Sequence, residues 1–212
     1  RNPTNDNMEH NNKRIKAHHT HTAIQQHPYD RDVKHRKLHD TKPTTINPQH
    51  DHPFKGNFRG TTWNAEGLIC SNTIKQHDKY HRLSQLQRAH DITIITETHG
   101  TEGKADAYKL PQDVTPYWAH KTSASAGIGC IISQKFLEQF NGLPDWTTYI
   151  NGHLARLSLA GMDGRIDIWC VYLPTGPELI QNKIQRKKII DIIANNSLPP
   201  DKCLTILAGD WN

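Results

Sequence analysis

The seven residues Asp91 to Glu97, DITIITE, constrain the fold of this chain more than any other segment. Between the two acidic ends, the run is continuous in apolar and β-branched residues. This pattern is typical of a strand that is covered on both faces, whereas a strand with one face in water alternates apolar and polar residues. A doubly covered strand needs a layer of structure on each side of its sheet. The run therefore predicts a layered fold.

Strand-like runs recur from Asn57 onward, and helix-like segments separate several of them. Strands are predicted in NFRGTTWN, YWAH, GIGCIIS, YINGHLARLSLAG, RIDIWCVYLP and CLTILAG, with the turn GMDG joining the fourth and fifth of these. Interleaved helices and buried strands are typical of an α/β domain. We therefore predict an α/β domain over residues 57–212.

Three segments have helical patterns. The first is SNTIKQHDKYHRLSQLQRA, with its first two residues as candidate N-caps and Ile74, Leu83 and Leu86 among its apolar positions. A short helix is predicted around QKFLEQF and a long one in PELIQNKIQRKKIIDIIANN. Pro177 opens the long helix at its first turn, where the missing N–H does no harm.

Residues 1–56 differ from the rest in composition. They hold few apolar residues and many Asn, Gln, Thr, Pro and His, and the whole chain is only 34% hydrophobic. Such a segment cannot bury enough apolar surface to offset the entropy of ordering, so we predict a disordered tail. Its histidines, His18, His19 and His21 among them, are interpreted as solvated low-complexity sequence and not as a metal site.

The net charge is concentrated in this tail. Residues 1–55 carry ten Lys or Arg against six Asp or Glu, which is +4 of the total of +5. The excess suits a polyanionic partner such as nucleic acid, although it says little about the surface of the domain.

Cys70, Cys130, Cys170 and Cys203 lie far apart and form no CxxC pair, so neither a zinc site nor a redox motif is indicated. Buried reduced thiols predict a nuclear or cytoplasmic protein that is not secreted. No apolar stretch approaches the roughly 18 residues of a membrane helix, so no membrane association is expected.

Polar residues fall repeatedly at the carboxyl ends of the predicted strands. Asn64 ends the first strand, Glu97 the second and Tyr172 the run IDIWCVY, while Asp210 and Asn212 follow the last strand. In layered α/β folds, ligand sites form outside these ends, and neighbouring strands lie only about 4.8 Å apart. We therefore expect the five side chains to form one site.

The residue types in this set favour a hard cation. Oxygen ligands without a Cys or His cage suit magnesium or manganese, which is usually bound through one or two carboxylates plus substrate phosphate. Glu97, with Glu66 nearby, supplies such carboxylates.

The remaining side chains suit hydrolysis of a phosphate ester. Asp210 is expected to orient or deprotonate a water, and Asn212 and Asn64 to hold phosphoryl oxygens. The Tyr172 hydroxyl is expected to stabilise the charge that develops on those oxygens.

These motifs resemble those of the endonuclease/exonuclease/phosphatase superfamily. TTWNAEGL resembles its WNxxGL opening, IITETHG its ET or ETH strand end, VYLPTG its Tyr-x-Pro segment and LAGDWN its GDxN motif, while GIGCII matches its Gly-rich central strand. The ETH form, the YLPTG segment and the helix containing Arg186 and Lys187 look most like the endonuclease domains of non-LTR retrotransposons.

The resemblance implies a four-layered α/β/β/α sandwich that hydrolyses phosphodiesters, with DNA as the expected nucleic acid partner and Mg²⁺ or Mn²⁺ as cofactor. By motif position, Glu97 is the chief metal ligand and Glu66 assists, at a position where many relatives have Asp. Asn64, Tyr172, Asp210 and Asn212 complete the catalytic set.

The family's Ser-Asp-His-type segment, which follows GDxN, has no counterpart in the sequence. His99 and His153 do not occupy its position. The sequence is therefore interpreted as a partial sandwich that lacks its C-terminal strands, and little turnover is expected from this polypeptide alone.

Two alternatives remain open at this point. One keeps the chemistry but acts on a phosphoinositide or sphingolipid, because those relatives share the strand-end motifs. The other is a catalytically dead fragment whose basic tail binds nucleic acid. The oligomeric state stays open as well.

Overall fold

A computed structural model describes residues 52–69, 73–101, 103–104, 110–123, 125–176 and 178–212. Most of the predicted tail, residues 1–51, lies outside the described residues, and its predicted disorder therefore stays a prediction.

Within the described residues, the first sheet contains β1 (Gly60–Asn64), β2 (Ile92–Thr96), β3 (Val114–Ala119) and β4 (Ile128–Ser133), in the order β1-β2-β4-β3. β1 and β2 run parallel, and the other pairs are antiparallel. Helix α1 (Thr73–Ala89) covers the outer face of this sheet, where its Leu83 packs with Ile95 and Ile131.

The second sheet has the same number of strands in the described part of the chain: β5 (Asp145–Ile150), β6 (Leu154–Gly161), β7 (Gly164–Tyr172) and β8 (Leu204–Asp210), in sequence order. β7 and β8 are parallel. The short α2 (Gln134–Leu137) follows β4, and α3 (Ile180–Asn196) packs Ile189 and Ile193 against Trp169 of β7.

The main core lies between the two sheets. Ile94, Ile128 and Ile132 of the first sheet share one buried cluster with Leu157 and Ile168 of the second. All five residues of β2 are buried, and Ile94 and Ile95 face opposite sides, one toward the second sheet and the other toward α1. The doubly covered strand predicted from DITIITE is therefore confirmed, as is the mixed α/β architecture.

The single strand predicted in YINGHLARLSLAG is wrong, because the chain turns in its middle. β5 ends at Ile150 and β6 begins at Leu154. Gly152 lies between them with φ +73°, and a Cβ there would come within 2.9 Å of the Gly127 nitrogen. Only glycine tolerates both the conformation and the close approach. The first part of β5, DWTT, was missed because its residues are polar or partly exposed.

Helix α1 buries fewer of its apolar positions than its sequence indicates. Leu83 is buried, whereas Ile74 is 75% exposed. Ile74 lies in the first turn, one residue after the helix begins, and the sheet contact starts further along. The candidate N-caps of α1 and the first-turn Pro177 of the long helix lie outside the described residues.

Residues 52–56 pack on the domain although their composition resembles that of the tail. Phe54 is 5% exposed and lies among Phe58, Phe136 and Phe140. Its N–H donates to the carbonyl of Arg165, which ties the segment to the β6–β7 hairpin. The ordered region of the chain thus includes Phe54.

Cys130, Cys170 and Cys203 are free and buried, as predicted, and Cys70 lies outside the described residues. In the described part of the chain, no helix has the length and apolar character needed to cross a membrane.

Candidate active site

The sheet topology brings four of the predicted strand ends to one edge. Asn64 pairs with Thr96 at the ends of the parallel strands β1 and β2, so Asn64 and Glu97 lie side by side. Tyr172 pairs with Asp210 at the ends of β7 and β8 in the other sheet. Because β8 contacts both β1 and β2, the two pairs of ends meet.

Direct hydrogen bonds join these four side chains. The Asn64 Nδ2 donates to Glu97 Oε1 at 3.1 Å and to Asp210 Oδ2 at 2.8 Å. The Tyr172 hydroxyl donates to the same Glu97 Oε1 at 2.8 Å. One amide therefore bridges two carboxylates from different sheets, and Glu97 is held by a donor from each sheet.

The orientation of the Asn64 amide is fixed from the other side. Its Oδ1 accepts the backbone N–H of Glu66 at 3.1 Å, which leaves the Nδ2 pointing at the carboxylates. The Glu66 side chain itself is exposed, and the backbone of Glu66 has φ +45°. Lys79 stabilises this turn by donating to the carbonyls of Glu66 at 2.7 Å and Gly67 at 2.9 Å.

Asn212 is placed differently from the other four predicted residues. Its backbone N–H donates to Asp210 Oδ1 at 3.0 Å, so it orients that carboxylate. Its side-chain Nδ2 donates to the Leu173 carbonyl at 2.8 Å, and its own carbonyl accepts from Arg186 Nη1 at 2.8 Å. One hydrogen of the amide is thus donated to the backbone, which turns the Asn212 side chain toward Leu173.

The backbone around Glu97 is strained. Glu97 has φ +53° and His99 has φ +51°, a left-handed conformation that non-glycine residues adopt uncommonly and that clusters at functional sites. The loop holds this geometry through bonds from Thr98 N to Gly127 O at 3.1 Å and from His99 N to Ala126 O at 3.0 Å. The turn that carries the carboxylate is therefore preorganised.

Electrostatics keep Tyr172 protonated. Burial raises the pKa of Tyr172 well above its usual value, and the hydrogen bond to Glu97 and the charges of Glu97 and Asp210 raise it further. The phenol is therefore a hydrogen-bond donor throughout the physiological pH range.

The donor set fits a hard cation bound at Glu97. Oε1 of Glu97 accepts two hydrogen bonds, while Oε2 has the His99 Nε2 at 3.8 Å, beyond hydrogen-bonding distance. The described residues contain no group of three or more His, Cys, Asp or Glu side chains arranged around a metal position. One carboxylate oxygen with substrate phosphate completing the shell is a usual magnesium arrangement, so the residues present fit that ion.

Sequence reasoning missed two residues that support the site. The sequence pattern identifies Lys79 only as a helix residue. Its contact with the Glu66 turn depends on how α1 crosses the sheet. His153 stacks on Tyr172 with ring centres 5.4 Å apart. The residues NGH, which interrupt the predicted strand, were the sequence feature that could have indicated its position.

No sequence family model matches the chain, and no curated protein matches it either. Solved structures share its architecture. A D. rerio TDP2 humanized by 14 mutations matches with a TM-score of 0.51 and 12% identity, over 71% of this chain and 60% of that one. An AP endonuclease from Archaeoglobus fulgidus matches with a TM-score of 0.50 and 13% identity, over 73% of this chain and 57% of that one.

This likeness is one of fold. The two packed sheets, with helices on their outer faces, are those of the endonuclease/exonuclease/phosphatase fold, which confirms the fold that the motifs imply. The matched region spans about three fifths of the length of these two structures, 60% and 57%.

Proposed function

We propose that this chain carries the site of a metal-dependent phosphodiesterase, and that its substrate is a nucleic acid, most directly DNA. One observation carries the proposal: Glu97 is held by Asn64 and Tyr172 through one oxygen, which leaves its other oxygen for a cation. The match in fold to a TDP2 and an AP endonuclease supports the choice of substrate.

The chain's own residues have distinct roles in this proposal. Glu97 is the chief ligand of Mg²⁺ or Mn²⁺, and the exposed Glu66 assists from the neighbouring turn. The ion, when bound, polarises the phosphoryl group as a Lewis acid. Asp210, held by Asn64 and by the Asn212 N–H, orients or deprotonates the attacking water.

Three further groups position the two carboxylates. Tyr172 keeps its proton and donates its single O–H to Glu97, so it stabilises the negative charge of that carboxylate. Asn64 donates both of its amide hydrogens, to Glu97 and to Asp210, and Asn212 orients Asp210 through its backbone N–H, so both asparagines act on the phosphoryl group through the carboxylates.

We further propose a retroelement origin and a nuclear or cytoplasmic location. The origin is supported by the ETH strand end, the YLPTG segment and the basic helix that follows it. The location is supported by the free, buried cysteines. In the structure, Arg186 of that helix donates to the Pro174 carbonyl through both Nε and Nη2, at 3.0 and 2.7 Å, so the helix holds the YLPTG segment.

The first test is Mn²⁺ binding by the chain, by Glu97→Gln and by Glu138→Gln. We expect binding to be lost in Glu97→Gln, because a neutral amide replaces the chief ligand. Glu138→Gln should bind as the parent does, because Glu138 is exposed beside α2, at the opposite end of β4 from the site. A variant lacking His18, His19 and His21 should also bind normally. Equal binding by Glu97→Gln and the parent would contradict the proposal.

The second test is magnesium-dependent nicking of supercoiled plasmid. Because the chain matches about three fifths of the AP endonuclease, the assay uses a chimera that carries the rest of that protein after Asn212. Nicking by the chimera, lost in Asp210→Ala, is the expected result. Equal nicking with and without Asp210 would contradict the role given to Asp210.

A further inference from the structure

His153 lies in the turn between β5 and β6 and is 3% exposed. Its backbone N–H donates to the Ile150 carbonyl at 2.9 Å, and its carbonyl accepts the N–H of Tyr172 at 2.9 Å. The preceding Gly152 accepts from Gly127 N at 3.1 Å, which joins the turn to the loop before β4. The imidazole is therefore attached to a fixed backbone beside the candidate site.

The two ring nitrogens of His153 have different partners, and these fix its tautomer. Nδ1 lies 2.9 Å from the Tyr172 carbonyl, which can only accept, so Nδ1 carries the proton. Nε2 lies 3.3 Å from the Lys121 ammonium, which can only donate, so Nε2 carries the lone pair. Both contacts are satisfied together only by the neutral imidazole.

The charge state agrees with this geometry. Burial lowers the pKa of His153, and the positive charge of Lys121 lowers it further, against the raising effect of the hydrogen bond to Tyr172.

The imidazole also packs on the Tyr172 ring. The two rings are nearly parallel, with an interplanar angle of 11° and centres 5.4 Å apart. Tyr172 is thus held by His153 at its backbone N–H, its carbonyl and one ring face, while its hydroxyl donates to Glu97 Oε1 at 2.8 Å. A change in the χ1 angle of Tyr172 would move the hydroxyl and break that last contact.

We propose that His153 is a positioning residue for the candidate active site: as a neutral imidazole bonded to the Tyr172 carbonyl and packed on the Tyr172 ring, it holds that side chain so that its hydroxyl stays on Glu97. The predicted effect of His153 on metal binding rests on the proposed function. If Glu97 is the metal ligand, its affinity for the ion depends on a buried histidine that does not contact it. Outer residues that orient a metal ligand contribute about 10–100-fold to affinity.

The first experiment is a double-mutant cycle on Mn²⁺ affinity with His153→Ala, Tyr172→Phe and both together. Tyr172→Phe should weaken binding about 10–100-fold. His153→Ala should weaken it by about tenfold in the parent. It should have little effect in Tyr172→Phe, because the hydroxyl through which His153 acts is gone.

Lys121→Met serves as a control for electrostatics. It removes a positive charge near His153 and leaves the imidazole on Tyr172, so it should not weaken Mn²⁺ binding. An equal loss on His153→Ala in both backgrounds would show a merely structural role and overturn the proposal, as would no loss in the parent.

The second experiment needs no metal. In the chain with ¹³C,¹⁵N-labelled tyrosine, the three-bond NMR couplings to Tyr172 Cγ should report a single χ1 rotamer in the parent and averaging over several rotamers in His153→Ala. An unchanged single rotamer in His153→Ala would overturn the proposal. If the parent binds no Mn²⁺, the proposed function fails, and the χ1 measurement alone then decides the role of His153. Where His153→Ala does not fold, His153→Gln replaces it, since it keeps a similar volume without the ring.

Discussion

At the scale of single residues, the site depends on one neutral amide between two acids. Asn64 separates the Glu97 and Asp210 carboxylates and donates to both, and the Glu66 N–H prevents the amide from turning over. An Asp at this position would add a third negative charge where two already meet. The choice of Asn64 therefore follows from its neighbours as much as from any contact with substrate.

The raised pKa of Tyr172 predicts how stability changes in alkali. A phenol whose pKa is higher in the folded state holds its proton longer than in the unfolded chain, where it titrates near 10. Its contribution to stability is complete below about pH 10 and is lost as the pH rises toward the folded pKa. Denaturant unfolding should show that the free energy of unfolding falls less between pH 9 and pH 11 in Tyr172→Phe than in the parent. Equal losses would mean that the phenol titrates normally in the folded chain.

The sequence predicted which residues reach the site but not how they point. Asn64, Glu97, Tyr172 and Asp210 were identified because each ends a strand, and parallel neighbours bring such ends together. The direction of the Asn212 amide toward Leu173 depends on the loop after β7, which no sequence pattern describes.

At the scale of elements, β6 and β7 share a buried ionic network on one face of their ladder. Asp167 is fully buried and accepts from Ser158 Oγ at 2.5 Å and from Arg165 Nε at 3.3 Å, and Arg156 Nη1 lies 3.8 Å away. A buried carboxylate among these partners is costly to remove, because the cations remain without it.

We predict that Asp167→Ala lowers the free energy of unfolding by about 3–5 kcal/mol. The matched control is Asp145→Ala, because Asp145 pairs with the same Arg156 at 3.5 Å but its side chain is 62% exposed. That change should cost less than about 1 kcal/mol. Urea unfolding of both variants measures the difference, and similar losses for the two would contradict a special role for the buried acid.

Sequence reasoning identified buried strands and also the partly exposed β1 and β8. β2 and β7 are almost wholly buried, and the runs ITIIT and IWCVY predicted them. β5 was largely missed because it has mixed burial at the end of its sheet, paired on one side with β6. On α3, Ile180 and Ile184 are 74% and 63% exposed, so apolar residues alone do not mark its packed face.

At the scale of the whole molecule, the domain includes residues that its composition assigns to the tail. Residues 52–56 run along the β6–β7 hairpin, where Phe54 N–H donates to Arg165 O at 2.9 Å and Lys55 N–H to Asp163 O at 3.0 Å. The Phe54 ring stands edge-on to Phe136, with centres 5.8 Å apart. A domain cut at residue 57 loses this aromatic contact.

We predict that a chain beginning at residue 57 is less stable than one beginning at residue 52. Removing a buried Phe costs about 3–5 kcal/mol, and Phe54→Ala in the longer chain should show a loss of that size. Thermal and urea unfolding of the three proteins tests this, with Lys55→Ala as a control because Lys55 is exposed. Equal stability of the chains beginning at 52 and 57 would place Phe54 outside the cooperative unit.

The hydrogen bond between Asn64 and Asp210 joins residues 146 positions apart in the sequence. Closing so long a loop costs conformational entropy before any contact repays it, and parallel pairing of β1 with β2 and of β7 with β8 adds further non-local contacts. Local structures such as the β6–β7 hairpin can form early, whereas the four strand ends meet only once both sheets have formed and docked. Assembly of the site is therefore a late event in folding, and partly folded chains lack it.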